Sequence, residues 1–170
     1  MKYIFAALFF LPLGLFAQDC TLKKVIDKFS NEPKITTGMF PMSSGTDKIL
    51  VSIEATAADI DILFVLNNGG VQRCYDDQST AQLSYDGIRL KTTYRNSGSM
   101  NCEGLFHFNF RNTPTPPSNL QKLATTKVAS IRFTGNDKSV TEVVLTEEDK
   151  VRLMDYAGCI IKEAQTLQKK

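Results

Sequence analysis

The sequence predicts an α+β fold: a mostly antiparallel sheet, sandwich-like or strongly curved, closed by a packing helix at the C-terminus. Three observations predict it. Apolar residues alternate with a period of two through the first two-thirds of the chain. Glycine-containing turns separate the alternating runs. The period changes to a helical one only after Thr146. With 42% apolar and 22% charged side chains in 170 residues, the chain has enough apolar material for one compact core.

Taken in order, Ile49, Val51, Ile53 and Ala55 form one face of a strand, with Ser52 and Glu54 on the other. Ile60, Ile62, Phe64 and Leu66 repeat the pattern, and Leu63 and Val65 predict burial on both faces at that end. Asn67-Asn-Gly-Gly70 is turn chemistry leading to a short strand through Val71 and Cys74. Ala81, Leu83 and Tyr85 then face Ile88, Leu90 and Thr92 across Asp86-Gly87, a pair suited to a type I′ hairpin. Phe106, Phe108 and Phe110 make the strongest apolar face, opposite Leu105, His107, Asn109 and Arg111. A short helix is expected from Ser118 to Ala124, after the proline-rich stretch 112–118. Ala129–Phe133 and Val140–Leu145 form a last hairpin around Gly135-Asn-Asp137.

The terminal helix is expected over about 146–167. Thr146 suits the N-cap, and Glu147, Glu148 and Asp149 complement the helix dipole. Leu153, Ala157, Ile160, Ala164 and Leu167 recur at helical spacing along one face.

Residues 1–17 read as a secretory signal peptide: Lys2, an apolar run from Ile4 to Phe16, and Ala17 at the cleavage point. The run is shorter than the roughly 20 residues of a membrane span, and no later segment approaches that length. Residues 18–170 then form a single β-rich domain. Its expected location is outside the inner membrane, in the periplasm or at the outer surface. Asp19 before Cys20 does not fit a lipidation signal.

The four cysteines all lie beyond the signal, at separations of 54, 28 and 57, so no CxxC pair exists. An even count in an exported chain predicts disulfides, with three possible connectivities. Following the strand directions, Cys74 and Cys102 fall at the same end of the sheet. Cys74–Cys102 with Cys20–Cys159 is therefore the expected pairing, and Cys102–Cys159 is the competing one.

Three segments, Asp27-Lys-Phe29-Ser30 with Ile35-Thr-Thr37, Leu83–Leu90 across Asp86-Gly87, and Leu123 with Val128–Phe133, carry a likeness. In them the chain resembles a group of small exported proteins common in Bacteroidetes. The resemblance implies export and a β-rich domain, and no activity.

A formal charge of +2 gives little support to nucleic-acid binding, which calls for a clearly basic face. The single histidine, His107, excludes histidine-rich metal cages. No catalytic, cofactor or metal site emerges: no serine sits in a nucleophile elbow, and no glycine loop has the pattern of a phosphate cradle. The leading reading is a non-enzymatic domain that binds a protein or envelope partner through its loops, 96–100 and 112–118 above all. An inhibitor of a hydrolase is one version. The alternative is a small secreted hydrolase using His107 or Asp59/Asp61, with Ser99, Glu103 or Asp86 as conceivable partners of the histidine.

Overall fold

The computed structural model describes residues 21–28, 30–44, 47–66 and 73–168. The expected signal peptide at 1–17, Cys20 and the turn expected at 67–70 lie outside the described residues.

Among the described residues, ten strands form two antiparallel sheets. The first contains β1 (Lys23–Ile26), β2 (Pro33–Thr36), β3 (Phe40–Ser44), β4 (Asp47–Ala55), β5 (Asp59–Val65) and β8 (Leu105–Arg111). The second contains β6 (Thr80–Tyr85), β7 (Ile88–Arg95), β9 (Val128–Thr134) and β10 (Val140–Val144), in the order β10-β9-β6-β7. In the first sheet the path is β1-β2-β4-β5-β8, and β3 shares with β2 the same edge of β4. Gly38, at φ +68°, turns the chain between these two short strands. The Thr37 amide and hydroxyl meanwhile continue the ladder to Ile53.

The period-two patterns become burial patterns. Ile60, Ile62 and Phe64 face in from β5, and Phe106, Phe108 and Phe110 from β8. Leu63 and Val65 are half-buried on the opposite face. The sheets meet through aromatic rings: Phe133 of β9 lies 5.4 Å from Phe64 and 5.2 Å from Phe106, centroid to centroid. Tyr94 of β7 stacks on Phe108 at 4.4 Å. These offset and edge-on contacts are the geometries aromatic quadrupoles prefer.

Helix α1 (Ser118–Thr125) buries Leu120 and Leu123. Helix α2 (Glu147–Ala164), extended by a 3-10 turn through Leu167, packs on α1 and against β2, β4 and β9. Its N-cap is Thr146, whose hydroxyl accepts from the Asp149 amide, and its buried face is Leu153, Ala157, Ile160 and Ala164. The far end is anchored by the buried Asn112, whose side-chain amide donates to Ala164 O and Thr56 O at 3.0 and 2.8 Å. No helix among the described residues is long and apolar enough to cross a membrane.

Three local expectations are corrected. The Asp86-Gly87 turn is not type I′, because only Gly87 has positive φ. The register between β6 and β7 shifts between Leu83 and Tyr85, so a bulge in β7 absorbs the twist that a primed turn would supply. Ile88 and Leu90 are consequently exposed, not buried against the core. Among the described residues around Cys74, which begin at Arg73, there is no strand, only isolated bridges from Arg73 to Glu103 and from Tyr75 to Asn101.

Candidate functional site

On the outward face of the first sheet, β4, β5 and β8 run in register with Glu54 opposite Asp61 and Asp61 opposite Asn109. His107 faces Leu63 in the next row, one diagonal step from Asp61. That step lets the imidazole Nδ1 donate to the Asp61 carboxylate at 2.9 Å. The side chains are 28% and 32% exposed. Hydrogen bonding to Asp61 raises the His107 pKa above its ordinary value, and partial burial opposes the rise. The bond also fixes the tautomer, leaving Nε2 as the acceptor when the ring is neutral.

The chain leaving β7 folds beside this pair and occupies the edge of β8. Asn96, only 3% exposed, is its organiser. Its Oδ1 accepts from the His107 amide at 2.8 Å and the Gly98 amide at 3.2 Å. Its Nδ2 donates to Asp76 O at 3.1 Å and to Gly98 O at 3.3 Å. The Ser97 amide then donates to His107 O. Gly98 is required here, because a Cβ at that position would stand 2.8 Å from His107 Cδ2.

Asn101 repeats the device at the start of β8. Its Oδ1 accepts from the amides of Leu105 and Glu103, and its Nδ2 donates to the carbonyls of Leu105 and Ser99. Next to Asn101, the Cys74–Cys102 disulfide, with Cα atoms 3.9 Å apart, ties the loop to the segment entering β6. Gly104, at φ +76°, closes the loop against Leu66, whose carbonyl a Cβ there would meet at 2.9 Å. The loop 96–104 is thus held at both ends and in the middle, with Ser97, Ser99, Met100 and Glu103 turned to solvent.

The sequence-predicted residues distribute as follows. Asp61 and His107 come together. Asp59 sits at the start of β5, its amide bonded to the Thr56 hydroxyl, and opposes Arg111 in the register. Asp86 forms an ion pair with Lys150 at 3.1 Å, so it does not serve His107. Glu103 is an exposed loop residue. Ser99 is an exposed loop residue whose carbonyl accepts from Asn101 Nδ2, and the neighbouring Ser97 donates its hydroxyl to the His107 carbonyl and not to the ring. Among the described residues no group of acidic, histidine or cysteine side chains could hold a metal ion. Of the expected disulfides, Cys74–Cys102 is present. Cys159 lies buried on α2, and the Cys20–Cys159 pairing involves a residue outside the described set.

The loop 96–100 was expected as a contact surface, but the organising roles of the Asn96 and Asn101 side chains were not. Asn96-Ser-Gly98 reads as a turn, and only the side chain's capture of a neighbouring strand makes it an organiser. A cleft of about 310 Å³ lies beside α2, lined by Thr21, Glu148, Val151, Arg152, Asp155, Tyr156 and Cys159. None of these residues belongs to the loop or to the Asp61–His107 pair. Comparison with protein-family models, curated proteins and solved structures finds no match.

Proposed function

We propose that this protein is an exported, non-enzymatic binding domain whose recognition surface is the loop 96–104 beside His107. The observation that carries this reading is the pinning of the loop by Asn96, Asn101 and the Cys74–Cys102 bridge. A loop already fixed in one shape loses little conformational entropy on binding, so its contacts go into affinity. Met100, 56% exposed, offers an apolar anchor beside the exposed Ser97 and Ser99, which can hydrogen-bond a partner. A disulfide between sequence-distant cysteines suits an oxidising compartment and agrees with the signal read at 1–17. The partner class is a protein of the envelope or the extracellular space.

A second reading rests on the Asp61–His107 hydrogen bond, which has the base-and-orienter half of a hydrolytic site. One experiment separates the two. Immobilised wild-type protein, Met100→Arg and His107→Ala are exposed to an envelope extract, and retained proteins are identified and their affinities measured. The binding reading expects a partner retained by wild type and His107→Ala and lost by Met100→Arg. Equal retention by Met100→Arg would overturn it. A turnover activity abolished in His107→Ala would favour the hydrolase.

A further inference from the structure

Strand β7 ends the second sheet, with β6 on one side and no strand among the described residues on the other. Among the described residues the hydrogen bonds of its main chain run to β6 alone, which leaves its outer row of N–H and C=O groups without a main-chain partner there. The edge of β8, by contrast, is taken by Asn96 and Ser97. Along the open edge stand Arg89, Lys91 and Arg95, all exposed, and none has an ion-pair partner among the described residues. Tyr94 points into the core, so Thr93 and Arg95 share strand positions with the outward set. The bulge presents Arg89, Leu90 and Lys91 together, with Leu90 67% and Ile88 43% exposed. On β9, one strand further in beyond β6, Arg132 adds a fourth exposed cation, opposed in the ladder by Gln82 of β6 and Glu142 of β10.

We propose that the free edge of β7 is a second recognition surface, which accepts an extended acidic peptide segment as an added strand. Three features select that occupant. Open backbone groups over eight residues can pair with another main chain in the manner of β-augmentation. The cations select acidic side chains at alternate positions, since opposite charges across a strand pair attract and like charges repel. The same repulsion disfavours a second copy of β7, which is how charged edges guard against self-pairing. Exposed Ile88 and Leu90 give the peptide an apolar contact that a simple polyanion would leave unused. This surface is independent of the loop 96–104.

The test uses the disulfide-intact protein and a fluorescent eight-residue peptide alternating glutamate and valine. Its controls are the same peptide with alternate backbone nitrogens methylated, and a lysine–valine counterpart. Fluorescence anisotropy should show saturable binding of the acidic peptide. That binding should weaken at least about tenfold in a Lys91→Glu/Arg95→Glu variant, and weaken as salt is raised. Amide hydrogen exchange in 88–95 should slow when the peptide is bound, and Met100→Arg should bind it as wild type does. Absence of binding, equal binding of the methylated or the basic peptide, or binding without protection of the β7 amides would each overturn the proposal. Equal binding of the methylated peptide would identify the edge as a general polyanion surface.

Discussion

Removing the Asn96 side chain tests the organisation of the loop most directly. In Asn96→Ala four hydrogen bonds disappear: two accepted from the amides of His107 and Gly98, and two donated to the carbonyls of Asp76 and Gly98. At a net value of about 1 kcal/mol for each bond, the loss would approach about 4 kcal/mol. Gly98 is half-buried, so water can replace part of what its two groups lose. His107 and Asp76 are half-buried too, so their groups recover part of the loss in the same way. The expected destabilisation is therefore about 2–3 kcal/mol, read from urea unfolding. Ser97→Ala, which removes one exposed bond to His107 O, should cost less than about 1 kcal/mol. Hydrogen exchange supplies a local readout: the His107 amide should lose protection in Asn96→Ala and keep it in Ser97→Ala. A change below about 0.5 kcal/mol in Asn96→Ala, or an unchanged His107 amide, would refute the assignment of Asn96 as organiser.

The remaining expectations concern the charge pair, the disulfide and the helix. Asp61→Asn should lower the His107 pKa toward its ordinary value, as followed by NMR of the ring protons during a pH titration. Because the folded-state value is raised, the pair's stabilisation is complete below the unfolded value of about 6.5 and fades as pH rises through the folded one. At this exposure it is worth under about 1 kcal/mol, and Asp61→Asn should flatten that part of the stability–pH profile. Replacing Cys74 and Cys102 together with serine should cost about 3–4 kcal/mol by the chain-entropy relation for a 28-residue loop, measured by urea unfolding. Leu153→Ala, at a residue 1% exposed, should cost about 2–5 kcal/mol in the same assay, and a surface-like value would contradict its packing.

How much was legible in the sequence follows from how local each signal is. Helix α2 was legible because its cap, first-turn acids and apolar stripe are all written within one segment. The strands with inward Phe, Ile and Val were legible through alternation. β1 to β3 were not: β1 is exposed along its whole length, β2 opens on Pro33, and both are four residues long. Ile88 and Leu90 misled because alternation says nothing about whether a bulge lifts a strand off the core. The Cys74–Cys102 bridge could be inferred because it needs only the up-and-down direction of successive strands. The Asp61–His107 bond could not, because it depends on the register between strands 46 residues apart. The same holds for Asn96, whose function is set by the backbone of β8 lying alongside it.

The path of the chain between the sheets has a consequence for how the protein folds. After β5 it leaves the first sheet to make the β6–β7 hairpin, returns to lay β8 beside β5, and departs again so that β9 can pair with β6. Neither sheet can therefore be finished before the other has begun. The closing pairs, β5 with β8 and β6 with β9, join residues far apart in sequence, and such pairings slow folding because loop closure precedes the contacts that reward it. The late steps on each side depend on one another, so the two sheets are expected to rise and fall in a single transition. A fragment ending before β8 would leave β5 with an open edge and Phe64 without Phe106, Phe108 or Phe133 against which to pack. Chain synthesis must thus run past β9 before any part of the β core becomes self-sufficient.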